Sequence, residues 1–342
     1  MMQVYAPCSP LIFDEWFADN PAANSTIDIE LALTQSIKIA CVSPYYEMDY
    51  SPFDLVLISD IEFNHIGPIK EWLANKNIVR YLIALGGLEG YTATGDFIYR
   101  PWWMFNLINK NTYRKSQQVP LFDFDILLGS QKPHRDFVMA KMQSTALINN
   151  SIINYRDVFS TPKFEDRTLT DHNMDILAGT RLAYPYISPN LNPDWEVKDT
   201  ISYNVSDIVP WKIYDHTKYS VIAETVYERV FFLTEKTTKA LFAKRIFVIF
   251  SCQGFLQQLR SLGFKTFNSI IDESYDRESN TIKRFEMAFK QVEFLAQSSY
   301  NNLLDQIQPI LEHNHNRLFE YHQEIKAQMK NMVYNKLKEI TC

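Results

Sequence analysis

The stretch Phe231–Asp276, FFLTEKTTKALFAKRIFVIFSCQGFLQQLRSLGFKTFNSIIDESYD, decides the fold. Thr234 is of the type favoured at a helix N-cap, Glu235 and Lys236 fall in the first turn, and Ala240, Leu241 and Ala243 form the apolar side. A helix start has free backbone N–H groups and the positive end of the dipole, so it favours phosphate, and Lys236 adds a cation there. Ile246–Phe250 has the length and the β-branched or aromatic content of a strand covered on both faces. The turn Ser251-Cys252-Gln253-Gly254 is small enough for a ligand to approach the backbone before Phe255 and Leu256 open another helix. An ordinary capped helix beside an ordinary strand has the same local pattern.

Upstream the same unit recurs. Gln117–Pro120 has linker composition, and Phe122–Leu128 begins a strand. Gly129–Asp136 is a turn with Pro133 at the first helical position, and the helical pattern runs through Met142. Arg135 and His134 therefore stand at a second helix start. Ser220–Thr225 reads as a short strand ending in the acid Glu224. Thr161–Asp207, rich in Asn, Asp, Pro and Tyr, reads as a long loop region.

Before the linker, strand patterns at 37–42, 55–58 and 79–85 alternate with helical ones such as 69–74, which implies an open α/β sheet. Ligands of such sheets sit beyond the carboxyl ends of the strands. Asp60, Glu62 and His65 follow the second run, and Gly86, Gly87 and Glu89 the third. A carboxylate there suits a base that takes a proton from an acceptor hydroxyl. Glu62 is the first choice, with Asp60 and Glu89 behind it; solvated loop acids are the alternative. Arg100–Lys115, RPWWMFNLINKNTYRK, interleaves Trp102, Trp103, Phe105 and Tyr113 with Lys110, Arg114 and Lys115. Two readings stay open: an acceptor surface that stacks bases or sugars and meets phosphates, or a core helix with a wet basic end.

A chain of 342 residues is long enough for two cores, and 46% hydrophobic with 22% charged residues marks a globular protein. The net charge of −6 gives no global pull toward nucleic acid or anionic membrane. Cys8, Cys41, Cys252 and Cys342 are far apart and show no metal spacing, as free thiols in a reducing compartment would. With no secretory leader pattern and no spanning apolar run, a cytoplasmic location without membrane insertion is expected. Walker and dinucleotide glycine motifs are missing, which removes the ATPase and dehydrogenase readings.

With Thr234-Glu235-Lys236 at a helix start, then a strand and a small-residue turn, the second half resembles the sugar-nucleotide half of GT-B glycosyltransferases of fucosyltransferase type. Phage-encoded, DNA-modifying transferases are nearest in this likeness, which is good over roughly the last half of the chain and poor before Leu121. It implies two Rossmann-type domains facing a cleft, with C-terminal helices bracing them: 1–118 binding acceptor, 119–300 binding nucleotide-sugar, and a helical extension over 301–342. Glu235 is then expected on the ribose, Lys236 and Arg135 on the diphosphate with His134 beside them, Glu224 near the sugar, and Gln253 and Gly254 in the donor-site turn. No resident cofactor is implied; a UDP- or GDP-linked sugar is the donor substrate.

The reaction expected is transfer of that sugar to a hydroxyl, first of all hydroxymethylcytosine in phage DNA, which receives glucose or arabinose. A polysaccharide or lipopolysaccharide transferase and a non-catalytic sugar-nucleotide-binding protein are the alternatives. Asp123-Phe124-Asp125 has the spelling of a metal motif but reads as part of a strand, so transfer without metal is expected. The pattern from Ser279 onward is helical, and His313, His315 and His322 share no face suited to a metal.

Overall fold

The computed structural model describes residues 3–5, 37–60, 66–87, 96–116, 118–156, 182, 184–195, 207–228 and 230–341. It resolves into two compact units, Met1–Trp102 together with Glu320–Cys342, and Trp103–Phe319. The boundaries expected near residues 118 and 300 thus fall at Trp102 and Phe319 instead. The first shift has a local cause. Helix α2 (numbered after α1, Ile66–Asn75) spans Trp102–Lys110 and buries Met104, Phe105, Leu107 and Ile108. Asn106 and Lys110 then bond the Asp207 carboxylate, and Asn111 its carbonyl, which ties the segment to the second unit.

In the first unit, β1 (Gln3–Tyr5), β2 (Lys38–Val42), β3 (Leu55–Asp60), β4 (Tyr81–Leu85) and β5 (Phe97–Tyr99) form one parallel sheet in that spatial order. Strands β2 to β4 lie within two residues of their expected positions. Ala40, Val42, Val56, Ile58, Ile83 and Leu85 cluster with Ile66, Ile69, Trp72 and Leu73 of α1. The alternate residues Ile39, Cys41, Leu55, Leu57 and Leu82 are buried as well, so both faces of the sheet are covered. Residues 320–341 contribute Tyr321, Ile325, Met329, Val333 and Leu337, buried at every fourth position, and Lys336 pairs with Asp96 at 2.8 Å.

The second unit alternates β6 (Phe122–Leu127), α3 (Pro133–Gln143), β7 (Ser151–Tyr155), β8 (Tyr186–Ile187), α4 (Trp211–His216), β9 (Thr217–Ala223), α5 (Glu235–Phe242), β10 (Ile246–Phe250), α6 (Phe255–Ser261) and α7 (Thr281–Gln297). Helix α8 runs Tyr300–Thr341, its part up to Phe319 belonging here. The strand order is β10-β9-β6-β7-β8, with β8 antiparallel. Aromatic contacts sort the helices into two layers. Phe137 of α3 and Phe285 of α7 meet Phe250, while Phe242 of α5 meets Trp211, His315 and Phe319.

Two polar devices fix this unit. Asp125 lies inside β6 and pairs with Arg245 at 2.6 Å, bonding Thr217 and Ser220 besides; burial pushes its carboxyl up while Arg245 pulls the other way. Asp123 pairs with Lys218 at 2.7 Å. The Asp-Phe-Asp spelling is therefore spent inside the sheet, as its strand pattern implied. Along α8, Asn314 bonds the Lys265 N–H and carbonyl at 2.8 Å each, Arg317 the Leu262 carbonyl, His313 that of Gly263 and His315 that of Phe242. These bonds satisfy carbonyls at the ends of α5 and α6.

Candidate functional site

Strand order locates the site. The chain adds β7 and β8 on one side of β6, then returns to add β9 and β10 on the other, so the order reverses between β6 and β9. In open α/β sheets, ligands bind beyond the carboxyl ends of the strands where such a reversal occurs. Here those ends lead into Leu128–Lys132 after β6 and Glu224–Thr225 after β9.

The β6 end turns at Gly129, whose φ of +70° suits glycine, and enters α3 through Lys132 and Pro133. No side chain caps that helix. Arg135 is buried, with Nη1 donating to the Ser130 carbonyl at 2.8 Å and to its hydroxyl at 3.2 Å, and Nη2 reaching the Glu224 carbonyl at 3.4 Å. Lys132 Nζ donates to the Thr225 carbonyl at 2.8 Å. Lys236 Nζ, from the start of α5, reaches the Thr225 hydroxyl at 3.2 Å and pairs with Glu235 at 2.7 Å. Three cationic side chains from two helix starts thus converge on one two-residue turn.

His134 is fully buried against the ring of Tyr227, its Nε2 2.5 Å from the Glu224 carbonyl. A carbonyl only accepts, so Nε2 carries the proton. Burial, then the neighbouring Arg135, pulls the imidazole down to about 3. A neutral ring with a bare Nδ1 can only accept on that side, and its one N–H is already given to the Glu224 carbonyl. Its role is to hold the Glu224 carbonyl.

The start of α5 also differs from its sequence reading. Thr234 does cap the helix, accepting from the Lys236 N–H at 3.3 Å. The Glu224 carboxylate, however, turns into the same end. It accepts from the Thr234 hydroxyl, from the Thr237 hydroxyl at 2.6 Å, from Thr225 N–H at 3.2 Å and from the Thr234 and Thr237 N–H groups at 3.4 Å. The amides expected to receive a phosphate are occupied by this internal acid, and Glu224 points at a helix rather than outward. Lys236 remains 19% exposed. Burial pushes the Glu235 carboxyl up, but Lys236 and Lys239 outweigh it and hold the group below the usual range. Burial likewise draws Lys239 down to about 8.

After β10, Gly254 adopts φ +76° and α6 begins. Asp276 takes the amides of Leu256 and Gln257 at 2.8 and 3.0 Å, and Gln253 donates to the Arg277 carbonyl. The acidic turn 272–276 therefore caps α6, and Gln253 is engaged with the backbone. An open groove of about 470 Å³ runs along α6 past Arg260 and Arg277. Arg260 is already held there by Glu273 and Thr266, and the groove's lining includes none of Lys132, Arg135, Thr225 or Lys236.

The remaining expectations fare differently. Glu62, His65 and Glu89 lie outside the described residues, as does most of Thr161–Asp207; Asp60 is described only as the final residue of β3, paired with Leu85. Trp102 and Trp103 are half-buried in α2. Lys110 pairs with Asp207 at 2.6 Å, Arg114 with Asp215 at 2.5 Å, and Tyr113 packs on Trp211 and His315, while Lys115 is exposed. The basic stretch thus spends two cations on acids of its own unit. Sequence reasoning missed Lys132 and Thr225, although Lys132 sits directly before the proline that marks the α3 start.

Among the described residues, no helix is long and apolar enough to cross a membrane, and no group of three His, Cys, Asp or Glu side chains is arranged to hold a metal ion. The chain matches no protein-family model and no curated protein sequence.

Proposed function

We propose that the protein is a nucleotide-sugar-dependent glycosyltransferase of GT-B type whose second unit holds the donor. The observation that supports this is the convergence of Lys132, Arg135 and Lys236 on the Glu224–Thr225 turn, at the reversal point of the second sheet. In the reaction, the acceptor hydroxyl gives its proton to a base, for which Glu62 is proposed with Asp60 behind it. The acceptor oxygen bonds the anomeric carbon as the bond from that carbon to phosphate oxygen breaks. Its electron pair leaves with the diphosphate, whose charge the fixed cations stabilise. Glu235, beside Lys236, suits the ribose hydroxyls as a hydrogen-bond acceptor.

Hydroxymethylcytosine in DNA stays the proposed acceptor, resting on Trp102, Trp103 and Lys115, with less positive charge than the sequence of that stretch suggests. The test of donor use is a panel of nucleotide-sugars scored by thermal stabilisation and donor hydrolysis. A specific donor raises the melting point and is turned over. Binding without turnover leaves a sugar-nucleotide-binding protein, and a flat panel refutes the proposal. DNA binding that weakens steeply with salt tests the acceptor.

A further inference from the structure

We infer that the open groove beside α6 is a second binding site and that its ligand is a neutral polyhydroxylated molecule, a sugar ring, held by hydrogen bonds. The inference goes beyond the donor reading and does not depend on it. The groove has a volume of about 470 Å³, within the range of small-ligand sites, and is lined by α6 and by residues of 268–277. Three of its side chains, Gln257, Asn268 and Arg277, are exposed and make no hydrogen bond among the described residues. They offer two amides, each donor and acceptor, and a guanidinium with several donors. Exposed polar side chains are common on any surface, but these share one concavity with groups that are fixed. Arg260 is held by Thr266 at 2.7 Å and Glu273 at 3.0 Å, and the Ser274 N–H by Asp272 at 2.9 Å.

Charge decides the ligand class. Arg260 is matched by Glu273 and, at 3.7 Å, by Asp276, and Arg277 acts on the Asp272 carboxylate in the same lining. Two guanidinium groups facing three carboxylates leave no surplus positive charge to draw a phosphate or a carboxylate. What remains is direction: donors and acceptors interleaved over a short span, which suits adjacent hydroxyls that each give and accept. Ile271 adds an apolar spot for the carbon face of a ring. Among the described residues no aromatic ring lines the groove, so stacking adds nothing and the affinity expected is weak, on the order of 1 mM. The lining is tied to the turn after β10, since the Gly254 N–H donates to the Asp276 carbonyl at 2.8 Å and Gln253 to the Arg277 carbonyl at 3.0 Å. A ligand on Arg277 therefore restrains that turn, and slower amide exchange there reports occupancy.

The test is calorimetric titration of the full chain with glucose, galactose and mannose, with acetate and orthophosphate as the charged alternatives, together with hydrogen exchange over 253–277. At least one hexose is expected to bind and to slow exchange across that segment. Arg277→Met and Asn268→Ala are each expected to weaken it about fivefold, the worth of one ordinary hydrogen bond. Both side chains are exposed, and thermal melts confirm that each variant is folded. Lys236→Met, at the reversal point of the sheet, is expected to leave hexose binding unchanged. The inference is overturned if no hexose binds, if either groove variant keeps wild-type affinity, if Lys236→Met alone loses the sugar, or if an anion binds in a way that depends on Arg277. A flat nucleotide-sugar panel with hexose binding intact removes the donor reading and keeps this one. Donor turnover with no hexose bound in the groove does the reverse.

Discussion

Glu224→Ala is expected to unfold the second unit far more readily than its single lost side chain suggests. The carboxylate is completely buried and receives two threonine hydroxyls, from Thr234 and Thr237, with the Thr225 N–H at 3.2 Å and two more amides at 3.4 Å. A hydrogen bond to a charged group is worth about 1.5–3 kcal/mol, and the three longer amide contacts count for less. Taking the two hydroxyl bonds as the main loss gives about 3–6 kcal/mol, a large part of the stability of an ordinary domain. Urea denaturation at pH 7, followed by circular dichroism, reads this as a midpoint lower by about 1–3 M at a slope of about 2–3 kcal/mol/M. Glu224→Gln keeps one acceptor and loses roughly half as much. A Glu224→Ala protein within about 0.5 kcal/mol of wild type refutes the capping role. Undiminished stability with lost donor binding places the carboxylate on the ligand instead.

Three further outcomes are expected. His134 is neutral when folded, with its pKa near 3, and titrates near its ordinary value when unfolded; the unfolded chain therefore takes up the proton first. The stability it contributes is complete above pH 6.5 and drains away as pH falls toward 3, by about 2 kcal/mol between pH 6.5 and 5. His134→Gln, which keeps a donor for the Glu224 carbonyl, flattens that slope in urea melts, and an unchanged slope defeats the assignment. Arg245→Met strands Asp125 among Thr217 and Ser220 and costs about 3–5 kcal/mol; adding Asp125→Asn recovers part of it, and a loss that the second change deepens argues against the pairing. Donor turnover is expected to survive a chelator, since Lys132, Arg135 and Lys236 are assigned the leaving-group charge; abolition by chelator sinks that assignment.

Local features were legible in the sequence. The strand at Ile246–Phe250, the Thr234 cap and the proline-led start of α3 each depend on a few adjacent residues, and each stands where its pattern placed it. What was not legible depends on residues distant along the chain. Glu224 reaches Thr234 and Thr237 only because α5 packs against β9 and its start lies at that strand's carboxyl end. Lys132 meets Thr225 because the strand order sets β6 beside β9, and no spacing along the chain records that adjacency. The two readings of the basic stretch after Trp103 stayed open for the same reason: Asp207 and Asp215, about a hundred positions further on, absorb Lys110 and Arg114.

The first unit draws on residues 320–341 for a buried apolar stripe and for the Lys336–Asp96 pair. During synthesis its five strands leave the ribosome long before that stripe exists. Whatever they assemble early is therefore provisional, with oily surface awaiting its cover, and contacts of such long sequence separation close slowly. The part of the polypeptide made first is the part completed last, so a nascent chain halted short of Glu320 exposes the early sheet to chaperones and aggregation while the second unit is already whole.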